Sequence, residues 1–275
     1  MSRALVVPLV PRRPAAGPAF GAMRSRTRGA GLDLVGSRPY RPGDDVRRID
    51  WHASARASSR RGSDELVVRE HLTEEATHVL ASVDRGPSMA VSGTGLPVLE
   101  KGSAAAEAAM LIRDSALAAT CVFTELECEA VEAPDAAVDA VLGGGTAPPP
   151  GAMVFVLSDF LTPPGERWHE ACGRGWDLVP VVIQDPLWER SFPDIAGALL
   201  PLADPATGRP RATRLSAREV ATRRQENEQR FDELLRAFHA LGLDWVVLSS
   251  SDPGHVYEAF VDWANGRHRG ARATR

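Results

Sequence analysis

Three side chains with hard oxygen donors follow directly on apolar runs: Asp84 after residues 77–83, Ser88 in the loop beyond it, and Asp159 after residues 153–158. If both runs are neighbouring strands, a carboxylate, a hydroxyl and a second carboxylate meet at one sheet edge. That donor set suits an octahedral magnesium that keeps part of its water shell. Thr146, in the loop ahead of Met153, supplies a further hydroxyl. The same residue types also cap helices and tie loops in any α/β protein, so a metal site and a hydrogen-bonded strand edge are both open readings.

A second chemistry is written over the same loop. GPSMA at residues 86–90 resembles the GxSxG nucleophile elbow of hydrolases, and Ser88, Asp159 and His255 occur in the hydrolase order. An elbow needs a helix directly behind the serine, whose strained turn and N-terminal amides build the oxyanion hole. Here Gly93, Gly95 and Pro97 intervene, Ala90 fills the last motif position, and His255 falls in the first turn of a predicted helix. The serine hydrolase is therefore the alternative reading, and a non-enzymatic binding module the main one.

Upstream, Arg41, Arg47, Arg48 and Arg56 interleave with Asp44, Asp45 and Asp50. Opposite charges at that density pair with one another and fix loops, and Asp44 or Asp45 can cap a short helix that carries Ile49 and Trp51 inward. The functional reading of the same stretch is a partner-binding face. Its candidates are Tyr40 and Trp51 as aromatic anchors, with Arg41, Asp44, Asp45, Arg48 and Asp50 as polar contacts. A metal-dependent nuclease built on Asp44, Asp45, Asp50 and His52 is disfavoured, since the neighbouring arginines neutralise those carboxylates.

These groups must be positioned by a regular frame, and the pattern of the chain supplies one. Residues 77–83, 153–158 and 177–184 are continuous apolar runs of strand length, whereas 99–120 has the small and aliphatic residues of a helix. Strand content is also expected at 65–69, 121–131 and 245–248, and short helices at 135–142 and 165–172. Ser216 and Glu219 have capping-box spacing ahead of Phe231, Leu234, Leu235, Phe238 and Leu241, with Gly242 as the stop. Asp252 and Pro253 open a last helix with Val256, Phe260 and Trp263 on one face. Strands alternating with helices imply an α/β fold with a mostly parallel sheet covered on both faces.

Composition narrows the function classes. With 44% apolar and 25% charged residues the 275-residue chain can bury a sizeable core. Residues 1–31 are rich in Pro, Arg, Gly and Ala without periodicity and are expected to be an extended tail outside that core. Arg24, Arg26 and Arg28 make a short basic run, but the net charge is −4 and no aromatics interleave, so nucleic acid is not an expected partner. Cys121, Cys128 and Cys172 show no CxxC spacing and read as buried thiols in a reducing compartment. No apolar run nears the ~20 residues of a membrane span, and MSRALVVPLVPRRP is too short and Pro-interrupted for a signal peptide, so a cytoplasmic location is expected. Lys101 is the single lysine, a bias that reads as codon preference.

Two resemblances follow from these residues. DRGPS at 84–88 is similar to the DxSxS metal-ion-dependent adhesion motif of von Willebrand factor A domains, although Gly86 stands where that motif has a ligand serine. Prolines 148 to 150 also follow Thr146 where a helix usually begins. RSRTRGAGLDLVGSRPYRPGDDVRRIDWHASAR at 24–56 resembles the signature of the bacterial domain of unknown function 58 family. The resemblance continues through VREHLTEE, DRGPSM, LSDF and the DPATG turn, covering roughly 24–263.

What the family resemblance implies is a von Willebrand factor A-like α/β domain at 77–267, preceded by a signature extension at 32–76 and a tail at 1–31, with a second tail at 268–275. It also implies an adaptor or co-chaperone that works beside a MoxR-type AAA+ ATPase, without catalysis of its own. A magnesium ion held by Asp84, Ser88, Thr146 and Asp159 is the family expectation, and a degenerate site in which hydrogen bonds replace the ion is the other. No GxxxxGK[ST] loop is present, so any nucleotide dependence comes from a partner.

Overall fold

The Val- and Leu-rich runs pair side by side as parallel strands. A computed structural model of the chain describes residues 5–12, 28–40, 46, 49–61, 66–72, 77–90, 99–128, 135–143, 147–203 and 209–273. In chain order the elements are β1 (Arg28–Pro39), α1 (Trp51–Arg61), β2 (Val67–Leu72), β3 (His78–Asp84), α2 (Lys101–Ala118), β4 (Val122–Cys128) and α3 (Asp135–Gly143). They continue with β5 (Met153–Ser158), α4 (Glu166–Gly173), β6 (Asp177–Ile183), β7 (Leu199–Ala203), β8 (Pro210–Arg214), α5 (Ala217–Ala240), β9 (Val246–Leu248) and α6 (Pro253–Ala273).

The main sheet has five strands in the order β4-β3-β5-β6-β9, every neighbouring pair parallel. The inner strands β3, β5 and β6 are buried on both faces and so are apolar at nearly every position, whereas the edge strand β4 is largely exposed. Their side chains divide by the two-residue period of a strand. Val79, Ala81, Val83, Phe155, Leu157, Val181 and Ile183 face a core shared with α2 and α6. Leu80, Val154, Val156, Leu178 and Val182 face the opposite core, with α3, α4 and α5. Helices therefore cover both faces, as the alternating pattern predicts.

Local capping agrees with the sequence. Ser216 Oγ accepts from the Glu219 amide at 3.3 Å while Glu219 Oε2 accepts from the Ser216 amide at 2.7 Å, a complete capping box at the head of α5. Gly242 closes that helix at φ 66°, a left-handed conformation that costs glycine little. Asp252 Oδ1 accepts from the amides of Gly254 and His255 at 2.9 and 3.1 Å, and Pro253 opens α6. Residues 185–214 carry the antiparallel β7–β8 pair; the DPATG turn at 204–208 lies outside the described residues.

Three expectations are corrected. The first 31 residues do not all stay outside the core: Val7 and Leu9 are buried against α2 and α6, and the Val7 amide donates to Ser115 Oγ at 3.0 Å. Two apolar side chains suffice to seat this segment in a seam left between the helices. Trp51 does not point inward. It is 67% exposed, on a helix capped by Asp50, whose Oδ1 accepts from the Ala53 amide at 2.9 Å; Asp44 and Asp45 lie outside the described residues. Only Ile49 of that pair is buried, beside Val68. Among the cysteines, Cys121 is buried while Cys128 and Cys172 are half-buried. No helix among the described residues is long and apolar enough to cross a membrane.

Candidate functional site

The strand order creates one topological switch point. After β3 the chain crosses to α2 on one face, and after the adjacent β5 it crosses to α4 on the other. Connections that diverge from neighbouring strand ends leave a crevice, the place where open α/β sheets bind ligands. Asp84 ends β3 and Ser158 ends β5, so the two candidate loops meet there.

Asp84 is 1% exposed. Its Oδ1 accepts from the Gly86 amide at 2.7 Å and its Oδ2 from Ser158 Oγ at 2.8 Å. Burial raises its pKa above the ordinary carboxyl value, against the pull of those two hydrogen bonds. Asp159 is 3% exposed and accepts the Lys101 ammonium at 2.8 Å through Oδ2 and the Leu161 amide at 3.2 Å through Oδ1. Its carbonyl accepts from Gln184 Nε2 at 2.6 Å, which ties the end of β5 to the end of β6.

Lys101 is the residue that sequence reasoning missed. It is the first residue of α2, 4% exposed, and donates both to Asp159 and to Glu189 Oε1, the latter at 2.6 Å. Burial alone would lower the pKa of the ammonium, but Asp159 and Glu189 outweigh it and raise it. One ammonium serves two carboxylates, and burial still leaves the Glu189 carboxyl above its ordinary range despite Lys101. The surrounding loop is rigidly tied. Asp185 Oδ2 accepts from the Leu99 amide at 2.8 Å, and Oδ1 from Leu187 and Trp188 at 2.8 and 2.9 Å. Glu189 Oε2 returns to the Asp185 amide at 2.9 Å, and Arg230 of α5 donates to the Glu189 carbonyl. The signal for Lys101 was its uniqueness, which codon preference seemed to explain.

The remaining candidates separate. Ser88 lies partly exposed in the turn behind β3, with no hydrogen bond to Asp84, Asp159 or His255. His255 Nδ1 sits 3.2 Å from Ser250 Oγ, so Ser88, Asp159 and His255 form no hydrogen-bonded relay. Thr146 lies outside the described residues, as do Arg41, Asp44, Asp45 and Arg48. Tyr40 and Asp50 sit half-buried in the small unit formed by β1, α1 and β2: the Tyr40 amide donates to the Leu66 carbonyl at 2.7 Å, and the Asp50 amide to Val67 at 2.8 Å. Ser54 Oγ, accepting from the Val67 amide at 2.8 Å, joins α1 to β2. Trp51 therefore projects from a firmly held helix.

This arrangement, an Asp50-capped helix beside an antiparallel pair and then a parallel strand and its helix, lies almost wholly in one stretch of chain. Residues 36–120 match the family model described as protein of unknown function DUF58. The DUF58 match takes in Tyr40, Asp50, Trp51, Asp84, Ser88 and Lys101, and ends before Asp159 and Glu189. No curated protein and no solved structure matches the chain.

Among the described residues the donors at the switch point are already engaged. Both Asp84 oxygens accept from internal donors, and Asp159 Oδ2 already holds the Lys101 ammonium. Among the described residues no group of three or more His, Cys, Asp or Glu side chains could hold a metal ion.

Proposed function

We propose that the chain is a non-enzymatic protein-binding module of the cytoplasm, an adaptor or co-chaperone for the MoxR-type AAA+ ATPase that the DUF58 resemblance implies. The observation that carries this reading is Trp51. A tryptophan with 67% of its surface exposed is costly to leave in water, and here it sits on a helix anchored by Asp50 and Ser54. Exposed Val46 and Leu66 belong to the same unit. Rigid aromatic anchors of this kind dominate protein–protein binding energies, because burying them removes much apolar surface at little conformational cost.

The experiment is biolayer interferometry of the purified chain against a MoxR-type ATPase from the same genome, with ATP analogue, with ADP and without nucleotide. Wild type is expected to bind in at least one state, and Trp51→Ala to weaken binding by roughly tenfold or more, the usual cost of truncating an anchor. Failure of wild type to bind in every state overturns the partner; unchanged binding of Trp51→Ala overturns the face.

The missing hydrogen-bonded relay from Ser88 to His255 weighs against the serine hydrolase alternative. A covalent serine probe that labels wild type and not Ser88→Ala would replace the non-enzymatic reading with the hydrolase.

A further inference from the structure

The basic positions of this chain are arginine throughout, with one exception, and that exception is buried between two carboxylates at the switch point. An arginine there would bring a broad planar guanidinium, whereas an ammonium is a compact charge that can reach two oxygens at 2.8 and 2.6 Å. Like a small cation, that ammonium is a compact positive charge held by carboxylate oxygens. It is held by Asp159, one of the residues expected to bind a divalent ion.

We propose that Lys101 is the resident cation of this site: its ammonium stands in place of a divalent ion, bridging Asp159 and Glu189, so that the switch point is closed and works without metal. The inference stands apart from the docking role of Trp51. The proposed lock joins the start of α2, the end of β5 and the 185–189 turn, with Gln184 and Asp185 tying the same three pieces by hydrogen bonds. A second cation at Asp159 would lie against the ammonium and be repelled by it. Removing the ammonium leaves two facing carboxylates and room for water, which is the donor set by which proteins commonly hold magnesium or manganese.

The test is isothermal titration with manganese and magnesium chlorides on wild type, Lys101→Ala, Lys101→Arg and Lys101→Ala/Asp159→Asn, each checked for native circular dichroism. Wild type and Lys101→Arg are expected to give no saturable heat. Lys101→Ala is expected to gain one site with a dissociation constant on the order of 10⁻⁴–10⁻³ M, at least roughly tenfold tighter than wild type, and the added Asp159→Asn to abolish it. A wild-type site that Asp159→Asn removes overturns the proposal, as does a folded Lys101→Ala that stays silent. Should Lys101→Ala fail to fold, electron paramagnetic resonance of free manganese with wild type carries the test. An undiminished signal supports the resident lysine, and a loss reversed by Asp159→Asn overturns it.

Discussion

Arg267 holds Asp177 through hydrogen bonds of 2.7 and 3.0 Å, with both side chains 3% exposed and 90 residues of chain between them. The pair joins α6 to the start of β6. Arg267 also donates to the Val10 carbonyl at 2.8 Å, and Asp177 accepts the Arg12 amide at 2.8 Å, so the N-terminal segment closes over the same point. Breaking a buried pair from one side strands the other charge. Arg267→Met should therefore cost roughly 3–5 kcal/mol, and adding Asp177→Asn should recover part of it. Urea unfolding curves of the single and double variants check both statements, and a cost below about 1 kcal/mol for the single variant would show that water reaches the pair.

The seating of the N-terminal segment has its own consequence. Leu9 is buried in the core shared with α2 and α6, so Leu9→Ala should destabilise by about 2–4 kcal/mol, the range for a buried leucine whose site relaxes only in part. Leu5 is exposed, and Leu5→Ala should change stability by less than about 0.5 kcal/mol. Equal effects of the two variants in thermal unfolding would mean that the segment does not dock in solution.

Asp84 gives a pH dependence of known sign. Its folded-state pKa lies above the ordinary 3.8, so the native protein binds the proton more tightly than the unfolded chain. The stabilisation is full at low pH and is lost as pH rises from the ordinary value through the raised one. Asparagine does not titrate. Asp84→Asn should match wild type near pH 4 and gain on it toward pH 8, by a few degrees in thermal midpoint, as it removes a buried charge and keeps an acceptor for Gly86. Midpoints measured across that range decide it, and a variant that loses ground as pH rises would reverse the assignment.

Trp51→Ala should leave stability within about 0.5 kcal/mol of wild type, because the side chain is already in water and the helix cap belongs to Asp50. Asp50→Ala, by contrast, should cost about 1 kcal/mol by removing that cap. Chemical denaturation separates the two, and a large loss for Trp51→Ala would give this residue a structural and not a docking role.

By itself the sequence determined the α/β pattern, the strands that lead into Asp84 and Asp159, the capping box of α5, the Asp252 cap of α6 and the DUF58 signature. Each is a local property: apolar runs of strand length, a serine three residues before a glutamate, a proline behind an aspartate. The order of the strands was not local, and it is the order that makes the ends of β3 and β5 neighbours at a switch point. Nor could spacing show that Lys101 reaches across 58 and 88 residues to Asp159 and Glu189, or that Arg267 reaches Asp177. A carboxylate at a strand end has the same local signature whether it meets a metal, a hydroxyl or an ammonium, and only its tertiary neighbour decides which. Trp51 failed as an inward residue for the same reason. An aromatic in a short amphipathic stretch has two faces to choose from, and the choice was made by Asp50 and Ser54 fixing the helix on β2.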